Sequence, residues 1–121
     1  MLINLSNHPS SKWSKEQLRV ATVQYGEIQD IPFPEVPPAA TPEAIQHIVQ
    51  KYIPNILKQS KQETPFVVHI MGEMTLVFRM VTILQQSDIT CIASTSFRDT
   101  VEHPDGSKTF KFSFVQFRAY F

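Results

Sequence analysis

The chain has little of what the commoner catalytic and metal-binding signatures are built from. It contains one cysteine, Cys91, and three glycines in 121 residues. One cysteine makes no internal disulfide and no thiolate metal cluster. Three glycines are too few for a glycine-rich phosphate loop, and no Walker sequence, dinucleotide fingerprint or Gly-x-Ser-x-Gly elbow occurs. The four histidines, His8, His47, His69 and His103, lack metal-ligand spacing. Neither sign of charge is in excess: eleven basic side chains balance eleven acidic ones. A duplex nucleic-acid binder carries a basic surplus, so long DNA or RNA is not the expected ligand. No apolar run approaches the ~18 residues of a membrane span. Polar residues from Asn4 to His8 interrupt the apolar start too early for a signal peptide. The expectation is a reduced, soluble, cytoplasmic protein without cofactor or metal.

What is present is globular. Apolar residues make up 42% of the chain and charged residues 18%. That suits one domain over residues 1–121 with a core of its own, and a neutral surface compatible with self-association. Met1–Leu5 reads as a short buried strand that ends in Ser6-Asn7-His8-Pro9-Ser10-Ser11. Trp13–Gln24 has helical spacing, with Ser14 and Gln17 as a capping box and Gly26 as its stop. Glu27–Phe33 reads as a strand of poor alternation, and the prolines at 34, 37 and 38 make the next stretch a stiff loop. Thr41-Pro42-Glu43 opens a second helix, inside which Pro54 predicts a kink or a split. Phe66–Met71 is the clearest buried strand, Glu73–Gln86 the third helix, and Ile89–Ala93 another strand that gives way to Ser94-Thr95-Ser96. His103–Ser107 is a turn, and Lys108–Tyr120 returns antiparallel with a bulge near Phe114–Val115.

Alternating strands and helices predict an α/β, Rossmann-like open sheet. It is mostly parallel in the order 2-1-3-4-5, with helices on both faces and an antiparallel C-terminal edge strand. In such sheets ligands lie beyond the carboxyl ends of the strands, where the strand order reverses. Three polar turns should meet there. The first offers Ser6, Asn7, His8, Ser10 and Ser11, which could cradle phosphate or ribose, or merely cap the next helix. The second is Gly72-Glu73-Met74-Thr75, whose amides at a helix N-terminus suit an anion, or form a plain strand-to-helix turn. The third is Ser94-Thr95-Ser96 followed by Arg98, a hydroxyl set with a bidentate cation, or solvated hairpin surface. His69 lies mid-strand and reads as a satisfied core histidine, whereas His8 sits where an acid or base is useful.

Four segments together carry a resemblance: Leu-Ile-Asn-Leu-Ser-Asn-His-Pro (2–9), His-Ile-Met-Gly-Glu-Met-Thr (69–75), Cys-Ile-Ala-Ser-Thr (91–95) and Phe-Val-Gln-Phe-Arg-Ala-Tyr (114–120). They resemble a small prokaryotic CRISPR-associated family, similar to the stand-alone CARF-type domains of type III CRISPR systems. The resemblance implies a two-fold homodimer that binds a cyclic oligoadenylate second messenger across its axis. Some such domains are ring nucleases, in which a ribose 2′-hydroxyl attacks the adjacent phosphate without a metal; others only sense or sequester the ring. On that basis the amides of Gly72–Thr75 would hold phosphates, and Asn7 and Ser94–Ser96 would contact ribose or base. Glu73 or His8 would take the 2′-hydroxyl proton, and Arg98 or His8 would stabilise developing charge. Sparse basic residues, with Lys12 and Arg98 the obvious ones, depart from what a polyanionic ring needs. A non-catalytic interaction module that pairs through its Phe-rich last strand is the competing expectation, and a small-molecule enzyme of unrelated chemistry is a third.

Overall fold

The structure is a computed structural model that describes residues 1–121. Its strands are β1 (Leu2–Ser6), β2 (Ile28–Pro32), β3 (Val67–Met71), β4 (Thr90–Glu102) and β5 (Lys108–Ala119). Its helices are α1 (Lys15–Tyr25), α2 (Pro42–Ser60) and α3 (Met74–Gln86), with a 3-10 turn at Ser10–Lys12. The five strands form one sheet in the order β2-β1-β3-β4-β5. All pairs are parallel except β4 with β5, which is antiparallel. The α/β architecture therefore has the order and the antiparallel edge expected from the sequence.

Burial follows the side-chain period of two. Ile3, Leu5, Val68 and Ile70 point to one face and join Val49 and Ile56 of α2 and Leu76, Met80 and Leu84 of α3 in the larger core cluster. Each such side chain contributes about 1.5–3 kcal/mol of burial free energy. The opposite face carries Leu2, Val67 and Ile92, covered by Trp13 and by Ala21 of α1. The next two positions on that face of β1 are Asn4 and Ser6, and His69 is their neighbour on β3; all three are buried. The face under α1 is therefore apolar at the amino ends of the strands and polar at their carboxyl ends.

Local signals act largely as read. The Ser14 side chain accepts from the Gln17 amide at the start of α1, and Gly26 ends that helix at φ 84°. Thr41 caps α2 by accepting from the Ala44 amide. Two expectations are corrected. α2 is not split at Pro54 but runs as one helix from Pro42 to Ser60, held by the apolar stripe that packs on the sheet. Ser94-Thr95-Ser96 is not a turn. β4 continues through it to Glu102, because β5 pairs with it residue by residue as far as Lys108. The register slips once: Thr95 faces Gln116 while Ser96 faces Phe114, so Val115 is the extra residue of a bulge.

Gly72 ends β3 against the ring of Phe33, just past β2. A Cβ at Gly72 would lie 2.5–2.7 Å from three ring carbons of Phe33. Gly72→Ala should therefore cost about 1–3 kcal/mol by overpacking. Phe33→Leu in the same chain should recover much of that loss, as read by urea denaturation of the two single variants and the double. Strictly additive losses would show that the two residues do not press on each other.

Candidate functional site

A polar groove of about 480 Å³ opens at the carboxyl ends of β1 and β3 and against the middle of β4, on the α1 side. This is the crevice between β1 and β3 at which strand order reverses. Ser6, Asn7 and His8 line it from the first turn, and Ser94, Thr95 and Ser96 from β4. His69 and Met71 of β3 lie between them, while Lys12, Trp13, Phe112 and Phe114 supply a cation and aromatic walls.

Beneath it runs a hydrogen-bonded row that crosses the sheet, of which Ser6, His69 and Ser94 line the groove while Asn4 and Asp30 line a neighbouring one. Asn4 is register-paired with Asp30 on one side and His69 on the other. Asn4 Nδ2 donates to Asp30 Oδ1 at 2.7 Å and to the His8 carbonyl at 3.0 Å. Both partners only accept, so the amide can sit only one way round, with Oδ1 towards β3. Asn4 Oδ1 then accepts from Ser6 Oγ and from His69 Nδ1, each at 2.8 Å. This fixes the His69 tautomer, with the proton on Nδ1 and a lone pair on Nε2, which lies 3.3 Å from Ser94 Oγ. Trp13 and Phe117 pack edge-on against the imidazole at centroid distances of 5.3 and 5.7 Å.

Electrostatics agree with this proton placement. Burial, helped by the nearby charge of His8, lowers the His69 pKa to about 4, so the ring is neutral at physiological pH. Burial alone would raise the Asp30 carboxyl, but hydrogen bonds from Ser10 and Asn4 outweigh it and keep Asp30 below the usual range. The Ser10 amide and hydroxyl bind that carboxylate at 3.0 and 2.6 Å. The first turn is pinned further by Trp13 Nε1, which donates to the His8 carbonyl at 3.0 Å.

The remaining sequence candidates do not line this groove. Ser10 is bound to Asp30, and Ser11 sits exposed in the 3-10 turn. Glu73 caps its own helix: its carboxylate accepts from the Thr75 and Leu76 amides at 3.2 and 2.8 Å and from the Thr75 hydroxyl. These bonds hold its pKa below the usual range. Of the amides expected to hold a phosphate, that of Thr75 thus already holds a carboxylate. Gly72 meets Phe33 rather than open space, and Met74 projects from the start of α3 beside a separate apolar groove of about 410 Å³. Arg98 lies further along the β4–β5 hairpin with its guanidinium 4.0 Å above the Phe110 ring. Cys91 is buried, and burial pushes its thiol up to about 12, so it supplies no thiolate. No group of three or more His, Cys, Asp or Glu side chains is placed to share a metal ion.

Sequence reasoning passed over His69, Asn4 and Asp30 as site residues. The available signal was the period of two. Asn4 and Ser6, and separately His69 and Met71, alternate with apolar neighbours and so share a face.

Residues 1–118 match the family described as the Uncharacterized protein MJ1673 family. The chain belongs to the MJ1673 family. The match covers every strand of the sheet to within one residue, the whole polar groove included. Neither the curated proteins nor the solved structures contain a match.

The neutral, buried His69 has a measurable consequence. Its folded pKa of about 4 lies below the ordinary 6.5. Unfolding therefore takes up a proton once the pH falls below 6.5. The stability that depends on His69 is intact above that value and is lost as pH falls towards 4. At ~1.4 kcal/mol per pH unit, the loss by pH 5 is about 2 kcal/mol. Urea midpoints at pH 7.5 and pH 5 should show it, and His69→Gln, which cannot charge, should flatten the dependence. An equal slope in both proteins would assign the acid sensitivity elsewhere.

Proposed function

We propose that this MJ1673-family chain binds a cyclic oligoadenylate second messenger of type III CRISPR immunity, in the polar groove and as a two-fold pair of chains in the cytoplasm. The observation that carries the reading is the composition of that groove. Ser6, Asn7 and His8 come together with Ser94, Thr95 and Ser96 at the strand-order switch, beside Lys12 and the rings of Trp13, Phe112 and Phe114. Hydroxyls and an amide suit ribose, a cation suits phosphate, and aromatic faces suit bases. A two-fold axis would present the same set twice, as a symmetric ring requires. The segments that carry the CARF-type resemblance include Ser6, Asn7 and His8 on one side and Ser94 and Thr95 on the other.

The chemistry open to a bound ring is metal-independent transesterification. The ribose 2′-hydroxyl gives its proton to His8 or to solvent, its oxygen bonds to the adjacent phosphorus, the P–O5′ bond breaks, and the 5′-oxygen takes up a proton. The products have a 2′,3′-cyclic phosphate and a 5′-hydroxyl. Of the three residues expected to assist, only His8 lines the groove, since Glu73 caps α3 and Arg98 stacks on Phe110. That placement favours a second reading, in which the protein holds the ring and withdraws it from other receptors without cutting it.

Cyclic tri-, tetra- and hexa-adenylate should be added singly in a thermal melt. A ring present at ~100 times its Kd stabilises the folded state by about 2.7 kcal/mol, an upward shift of several degrees in a chain of this size. Lys12→Ala and Asn7→Ala should weaken the effect. Absence of a shift with all three rings would sink the messenger reading. Linear products on a gel, lost in His8→Ala, would decide for cleavage; an intact ring after prolonged incubation would decide for sequestration.

A further inference from the structure

The hydrogen-bond row under the groove has a direction, and it ends at Ser94. Asp30 and the His8 carbonyl orient the Asn4 amide, Asn4 Oδ1 draws the His69 proton to Nδ1, and Nε2 is left as an acceptor facing Ser94 Oγ at 3.3 Å. The other acceptor in reach of that hydroxyl is the Met71 thioether, at 3.1 Å. A thioether sulfur accepts far more weakly than an imidazole nitrogen, so the Ser94 proton belongs on the His69 side. The Ser94 oxygen then turns its lone pairs towards the groove and has no proton to offer there. Ser94 is half-buried and sits mid-strand in β4, so its backbone is held by the sheet ladder and its oxygen by the contacts with His69 and Met71.

We infer that Ser94 Oγ is a committed hydrogen-bond acceptor that selects a ribose 2′-hydroxyl over the same sugar without it. The inference rests on the messenger reading above and adds the feature of the ligand that is recognised. Phosphate oxygens carry no proton at neutral pH and gain nothing from such an acceptor. Base faces are served by the exposed ring of Phe112 and the half-buried ring of Phe114 on the groove wall. Of the two kinds of donor the ring carries, the adenine amino group and the ribose 2′-hydroxyl, Ser94 takes the 2′-hydroxyl, the group that separates RNA from DNA chemistry. His69 acts through Ser94 and is a positioning residue. A site built around a hydroxyl partner rejects the analogue lacking it, because its own polar group is then left unpaired.

The test is calorimetric titration with the ring that gives the largest melting shift, in its all-ribo form and in its 2′-deoxy form. Wild-type protein should favour the ribo ring by about tenfold or more. Ser94→Ala should bind the two rings with nearly equal affinity, and Ser94→Thr, which restores the hydroxyl, should regain the preference. His69→Phe, which keeps an aromatic ring against Trp13 and Phe117 but lacks Nε2, should lower the preference towards that of Ser94→Ala. A wild-type protein that binds both rings equally overturns the inference and leaves the messenger reading standing. The same holds if Ser94→Ala keeps the full preference. A preference left intact in His69→Phe removes His69 from the account. If no ribo ring binds at all, the messenger reading and this inference fall together.

Discussion

The orientation of one amide governs the functional face of this molecule. Asn4 is buried in a central strand with four polar contacts, and only one arrangement of its oxygen and nitrogen satisfies them. Leaving a buried amide unsatisfied costs more than a satisfied one contributes, so the arrangement is not optional. Through it the charge on an exposed edge strand reaches the middle of the sheet. Asp30 on β2 sets the proton on His69 of β3, two strands away, and His69 in turn faces β4. Four strands thus contribute to one hydrogen-bonded row.

Such a row is tolerated only because the rest of the face is dry. Trp13, Leu2, Val67 and Ile92 close the amino-terminal half of the same surface, and Phe117 leans on the imidazole from β5. The opposite face, with α2 and α3, carries the larger apolar cluster and no comparable polar row. Stability and recognition are therefore separated across the thickness of the sheet. The helix N-terminus expected to serve an anion is instead capped by Glu73, which secures α3 from within the chain.

The strand order, the helices and the antiparallel edge were legible because hydrophobic periodicity and turn chemistry act locally and agree with one another. The limits of β4 were not. A run of Ser94, Thr95 and Ser96 looks like a turn when read by residue type, and only pairing with β5 keeps it extended. The candidate site was half legible. Polar residues just after an apolar strand, such as Ser6–His8, announce themselves. His69 did not, because a histidine among β-branched residues reads the same whether its polar partners are structural or lie under a groove. Its partner Asn4, and Asp30 bound to Asn4 in turn, come from 65 and 39 residues earlier in the chain, and only the register of three strands brings them together. Glu73 and Arg98 failed as groove residues for a similar reason: each finds a nearer partner within its own helix or hairpin.

The continuation of β4 through Ser94 also decides how this surface can adapt. A binding residue on a flexible turn can swing to meet ligands of different width. One carried in mid-ladder moves only if its neighbours on both strands move too. Whatever dimension the floor has is consequently set when the chain folds, and accommodation of larger or smaller guests falls to the Phe-bearing hairpin that rises beside it.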